Sequence, residues 1–209
     1  PEVANRIRGS MHEIKAGEGQ LRNAAVLTTD VRGFTTLAIS MLPNEVISLL
    51  IEYQQRIVPI IQRHGGVVDK FLGDGILATF CGAEPNDAYA ADALRAAQQI
   101  GASTEAWAHE RAARGERPIF VGTAVTAGRV IFGAIGDQSR LEFTVIGDAV
   151  NLAAKLEKPT KAERVRTLTT GETYALALDQ GFAPSHAFER RPSRRIEGLA
   201  TPIDLVVLA

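Results

Sequence analysis

Between two strand-like segments, residues 67–71 and 76–80, the chain reads Leu72-Gly73-Asp74-Gly75. An Asp-Gly step flanked in this way signals a tight β-hairpin, because the turn needs residues that tolerate unusual backbone angles. A helical pattern lies on each side of the hairpin. In residues 43–63, Val46, Leu50, Tyr53, Ile57 and Ile60 share one face, with Ile47, Ile51, Val58 and Ile61 beside it. Pro59 is expected to kink this helix and Gly65-Gly66 to end it. Residues 86–113 read as a long alanine-rich helix, and residues 24–31 and 119–126 as strands. The order is β-α-β-β-α-β, which predicts an α/β fold with a ferredoxin-like core: an antiparallel sheet with helices on one face. Residues 128–136 form a glycine-spaced segment, 143–146 a strand and 148–158 a helix. A smaller strand-rich C-terminal part ends in the apolar residues 203–208.

This topology has a chemical consequence. The handedness of crossovers makes the first strand parallel to the second. The end of strand one, at Asp30, then lies at the same sheet edge as the hairpin carrying Asp74. Taken singly, each residue has an ordinary reading, a helix-capping Asp and a turn Asp. Together they match what magnesium prefers, one or two carboxylates with water and phosphate oxygens filling the other positions. Gly33, Phe34 and Thr35 follow Asp30 at a loop leading into a helix, where backbone N–H groups can bind phosphate.

Composition narrows the class. The 209 residues are 45% apolar and carry a net charge of −1, without the basic excess of a general nucleic-acid binder. One cysteine, Cys81, allows no disulfide within the chain, and the four scattered histidines show no zinc-site spacing. No apolar run approaches the ~20 residues that span a bilayer. Residues 1–20 carry Val3, Ile7, Met11 and Ile14 at helical spacing. They are expected to form a connector helix ahead of a domain at 21–209, either packed on its edge or coiled with another helix.

Four segments, in order, resemble class III nucleotidyl cyclase catalytic domains of the bacterial adenylate cyclase type. They are Thr29-Asp30-Val31-Arg32-Gly33-Phe34-Thr35, Lys70-Phe71-Leu72-Gly73-Asp74-Gly75, the glycine-spaced residues 128–136, and Phe143-Thr144-Val145-Ile146-Gly147-Asp148-Ala149-Val150-Asn151-Leu152-Ala153-Ala154-Lys155. The resemblance implies that Asp30 and Asp74 hold two divalent ions, Mg2+ or Mn2+. Lys70 and Thr144 would select the base, Asn151 would orient the ribose and Arg140 would bind triphosphate. Lysine offers only donors and suits adenine N1, and threonine can accept from the N6 amine, so the pair favours ATP. The resemblance further implies a homodimer with sites at the interface, no nucleic-acid partner and an upstream sensor or membrane module. The location would be cytoplasmic, as a free protein or as the inner part of an anchored one. A guanylate cyclase and a weakly active or inactive nucleotide-binding module are the alternatives.

Two positions depart from the family. Lys155 stands where the family has the arginine that stabilises charge on the α-phosphate, and lysine lacks the planar two-pronged donor set. The family's late lysine is missing at the turn Glu197-Gly198. The nearby Arg190, Arg191, Arg194 and Arg195 read as a solvated basic face.

Overall fold

The computed structural model describes residues 19–81, 88–136, 141–163, 165–184 and 188–208. The expected connector falls on residues 1–18, outside that set, except that Gly19 and Gln20 already belong to a strand.

The core is built from β1 (Gly19–Val31), α1 (Phe34–Ile39), α2 (Pro43–Arg63), β2 (Val67–Leu72), β3 (Gly75–Cys81), α3 (Tyr89–Ala113) and β4 (Val121–Gly136). It continues with β5 (Leu141–Ile146), α4 (Asp148–Ala162), β6 (Thr167–Thr170), α5 (Gly171–Asp179), β7 (Glu189–Arg194) and β8 (Ile203–Val207). β3 and β4 flank β1, both antiparallel to it, and β2 lies outside β3. Two antiparallel steps make β2 parallel to β1, as the crossover rule requires.

The expected fold is present, with extensions. β4 does not stop at residue 126 but runs on through the glycine-spaced segment, pairing with β1 on one side and β5 on the other. The strand-rich C-terminal part is not a separate layer. β6 joins β4 in parallel, and β8 and β7 follow it, giving one eight-stranded sheet. α2 continues through the exposed Pro59, with Ile60 and Ile61 buried beyond it.

Both faces of β1 are covered, which explains its unbroken apolar run. Ala25, Leu27 and Val31 face α2, α3 and α5 in the main core, which includes Ile57, Trp107 and Tyr174. Ala24 and Val26 face α4, through Ala149 and Ala153. Helices therefore lie on both faces, with α4 adding a layer opposite α2 and α3.

Candidate functional site

The strand edge that holds Asp30 is closed by the hairpin. Asp30 pairs with Gly75 across β1 and β3, and the Val31 N–H donates to the Asp74 carbonyl at 3.2 Å. Two glycines make this approach possible. Gly73 takes a left-handed conformation (φ 67°) in the two-residue turn, and a Cβ on Gly75 would stand 2.9 Å from the Thr29 carbonyl oxygen. The two carboxylate residues line one cleft of about 300 Å³, together with Arg32, Gly33, Phe34 and Thr35. Lys158, Thr160 and Lys161, from the far end of α4, complete its wall.

Electrostatics agree with this convergence. The Tyr53 phenol is buried behind the edge, and its oxygen lies 2.6 Å from the Thr29 hydroxyl. Burial pushes its pKa well above the usual tyrosine range, and the charges of both Asp30 and Asp74 push the same way. These effects favour the neutral phenol, which shares a hydrogen bond with Thr29. Burial likewise pushes the Cys81 thiol up to about 12, which disfavours its thiolate.

Among the described residues, no group of three or more His, Cys, Asp or Glu side chains forms a metal cage. Two carboxylates beside open space and backbone N–H groups suit a divalent ion that shares its coordination with phosphate oxygens, the habit of magnesium rather than zinc.

The expected base-selecting residues also meet, at a different place. Lys70 Nζ donates to Thr144 Oγ1 at 3.1 Å, across β2 and β5. The register of β2 against β3 slips between Val68 and Lys70, so Asp69 is the extra residue of a bulge, a device that re-aims neighbouring side chains. The Asp69 carboxylate, only 4% exposed, sits 3.4 Å from Lys70 Nζ and helps fix the ammonium. Sequence reading missed Asp69, because a bulge leaves no mark in composition.

On α4, Asn151 is exposed and Lys155 is half-buried. Lys155 Nζ donates to the Gly198 carbonyl at 2.6 Å, and Lys158 pairs with Glu197 at 3.2 Å. Lys155 thus grips the Glu197-Gly198 turn. It lines a second cleft of about 470 Å³ with Arg194, Arg195 and Glu197. The C-terminal arginines are not simply solvated: Arg191 and Arg194 both bind Glu163, Arg194 at 3.0 Å. Arg140 lies outside the described residues.

The residues therefore fall into separate groups. None of Lys70, Thr144, Asn151 and Lys155 lines the cleft of Asp30 and Asp74.

Residues 18–203 match the family described as adenylate and guanylate cyclase catalytic domain. The chain belongs to that family. Class III cyclase domains are thus its kin in sequence as well as in topology. An adenylate cyclase of Anabaena cylindrica is 32% identical over 181 residues, covering 80% of this chain and 35% of that protein. The chain thus spans about a third of that relative's length. A crystal structure of the guanylyl cyclase Cya2 superposes with a TM-score of 0.77 at 28% identity, covering 91% of this chain and 93% of the other. The adenylyl cyclase CyaB from P. aeruginosa has the same fold, with a TM-score of 0.79 at 24% identity, covering 92% and 96% of the two chains. Within a family that uses both purines, base preference must be argued from the residues. No helix among the described residues is long and apolar enough to cross a membrane.

Proposed function

We propose that this chain is the catalytic domain of an adenylate cyclase, which converts ATP to 3′,5′-cyclic AMP and pyrophosphate as a homodimer with two equivalent sites at the interface. The observation that carries the reading is the closure of the Asp74 hairpin onto the end of β1, which sets two carboxylates on one cleft beside backbone donors. Family membership supports it, and so does the adenylate cyclase of Anabaena cylindrica among the relatives.

In this reading Asp30 and Asp74 hold two divalent ions, which supply charge neutralisation at the phosphates and a more acidic ribose 3′-hydroxyl when bound. Gly33, Phe34 and Thr35, at the start of α1, hold the triphosphate. The 3′-oxygen forms a bond to the α-phosphorus, the bond to pyrophosphate breaks, and the hydroxyl proton leaves to solvent. Asn151 orients the ribose so that attack is in line, and Lys155 neutralises charge on the α-phosphate. Arg140 is assigned to the triphosphate.

The separation of the residue groups supports sharing between chains. One protomer contributes Asp30 and Asp74, and its partner contributes Lys70, Thr144, Asn151 and Lys155. A surface for pairing is available. Leu21, Ile131 and Ile146 are cross-strand neighbours on β1, β4 and β5, and they are 54%, 44% and 48% exposed. A contiguous apolar row of this kind marks an interaction surface, and twofold pairing would bury it against itself. The relative's greater length fits a further module, such as a sensor, in the full-length protein.

The contact between Lys70 and Thr144 favours adenine. The ammonium suits the N1 acceptor of adenine and opposes the N1–H donor of guanine, while the Thr144 hydroxyl can accept from N6. The double variant Lys70→Glu, Thr144→Cys reverses both demands. Its ratio of kcat/KM for ATP over GTP is expected to fall by about 100-fold, from two contacts of ~1.4 kcal/mol each. A ratio unchanged from the parent would refute the base assignment.

Lys155→Arg is expected to raise kcat by about ten-fold, or ~1.4 kcal/mol of transition-state stabilisation. A guanidinium can keep one N–H on the Gly198 carbonyl and turn others towards phosphate, whereas the ammonium is tied to that carbonyl at 2.6 Å. The gain belongs in kcat rather than KM. Equal or lower kcat in steady-state kinetics would mean that Lys155 serves the Gly198 turn alone.

A further inference from the structure

The buried face of α4 runs Ala149, Ala153, Leu156, Thr160, and its backbone is fastened at three points, near its start, its middle and its end. The Thr126 hydroxyl donates to the Ala149 carbonyl at 2.7 Å and the Thr28 hydroxyl to the Ala153 carbonyl at 3.3 Å. At the far end Arg32 Nη2 donates to the Thr160 carbonyl at 3.2 Å and also to the carbonyl of Val165. Thr28 and Arg32 bracket Asp30 in sequence, two residues before and two after. The Arg32 backbone is fixed as well, its N–H donating to the Phe120 carbonyl at 2.8 Å. Room for this clamp is left by Gly122 on β4, where a Cβ would stand 2.8 Å from Thr160 Oγ1 and 3.7 Å from Arg32 Nε. These are side-chain bonds to main-chain oxygens, so they fix the position of the helix and not merely of one rotamer.

On the reading given above, the two things joined in this way serve different sites. The Asp30 loop belongs to one site of the dimer, and the first half of α4, with Asn151 and Lys155, belongs to the other. We propose that Arg32 is a positioning residue that locks the metal-binding loop of one site to the helix serving its neighbour, so that ordering one site orders the other. The inference rests on the shared-site reading.

The test uses heterodimers of an Asp30→Ala protomer with an Asn151→Ala protomer, purified through different tags. Such a dimer has one intact composite site, with Asp30 from the second protomer and Asn151 from the first. Arg32→Gln is then added to one protomer at a time. On the protomer that supplies Asp30, it is expected to raise the half-saturating Mn2+ concentration about three-fold or more, in activity and in direct binding followed by electron paramagnetic resonance. On the protomer that supplies Asn151, it is expected to lower kcat about five-fold or more with Mn2+ binding unchanged, because only the helix is displaced. Arg32→Lys, which keeps one donor, should restore part of each effect. A merely structural role would lower the amount of active dimer in both placements and leave Mn2+ binding by the intact site unmoved, and that result overturns the proposal. Unchanged kcat in the second placement overturns the coupling while leaving the shared site intact. If the parent heterodimer itself has no activity, the shared-site reading fails and the proposal falls with it.

Discussion

Replacing Asp30 or Asp74 with alanine is expected to lower cyclic nucleotide formation by at least about 100-fold while the domain stays folded. Each substitution removes a carboxylate from the cleft that both residues line. The ions such carboxylates hold contribute several kcal/mol to transition-state charge stabilisation, and ~2.7 kcal/mol already corresponds to 100-fold. The fold is expected to tolerate both changes. Asp30 makes its sheet contacts through the backbone, to Gly75 and Gly122, and the Asp74 contact to Val31 uses the Asp74 main-chain carbonyl. Circular dichroism and thermal melts should therefore match the parent, while product formation under saturating Mn2+ and ATP is lost. More than a tenth of parental activity in either variant would contradict the mechanism.

Mixing two inactive proteins should restore activity. On the proposed division of each site between two chains, Asp30→Ala removes the metal half of a site and Asn151→Ala the ribose half, so each homodimer is expected to be inactive. In a heterodimer one site receives both lesions and the other receives neither. Random pairing makes half the dimers heterodimers, each with one intact site of two, so the equimolar mixture should regain about a quarter of parental activity. The physical ground is the division of residues over the surface, with Asp30 and Asp74 on one cleft and Asn151 and Lys155 outside it. No recovery at any mixing ratio would place all the residues of a site within one chain.

Much of this arrangement is legible in the residues. The hairpin at Gly73-Asp74, the two helix periods and the handedness of the crossover are local or near-local rules, and together they bring Asp30 to Asp74. The structure bears that out through the pairing of Asp30 with Gly75. The continuation of β4 through residues 128–136 is not legible, because glycine weakens strand propensity. That stretch pairs because β1 and β5 flank it. The run of α4 past Lys158 is likewise hidden. Pro159 argues for a stop, yet the helix ends only at Ala162, its last turns held by the buried Thr160 and by the Arg32 bond to the Thr160 carbonyl. The parallel joining of β6 to β4 follows a long-range choice that no local pattern encodes.

The candidate site residues divide in the same way. Asp30 and Asp74 follow from topology. The pairing of Lys70 with Thr144, 74 positions apart, is legible only through family likeness; the two side chains lie 3.1 Å apart. The grip of Lys155 on Gly198 and the clamp of Arg32 on α4 depend on where main-chain oxygens come to lie, and a one-dimensional reading carries no such information.

Incubating the purified domain with Mn2+ and either ATP or GTP, and measuring cyclic nucleotide and pyrophosphate together, decides whether it is an adenylate cyclase. Cyclic AMP and pyrophosphate are expected in equal amounts, with ATP consumed faster than GTP. Faster formation of cyclic GMP, or release of phosphate without any cyclic product, would contradict that assignment.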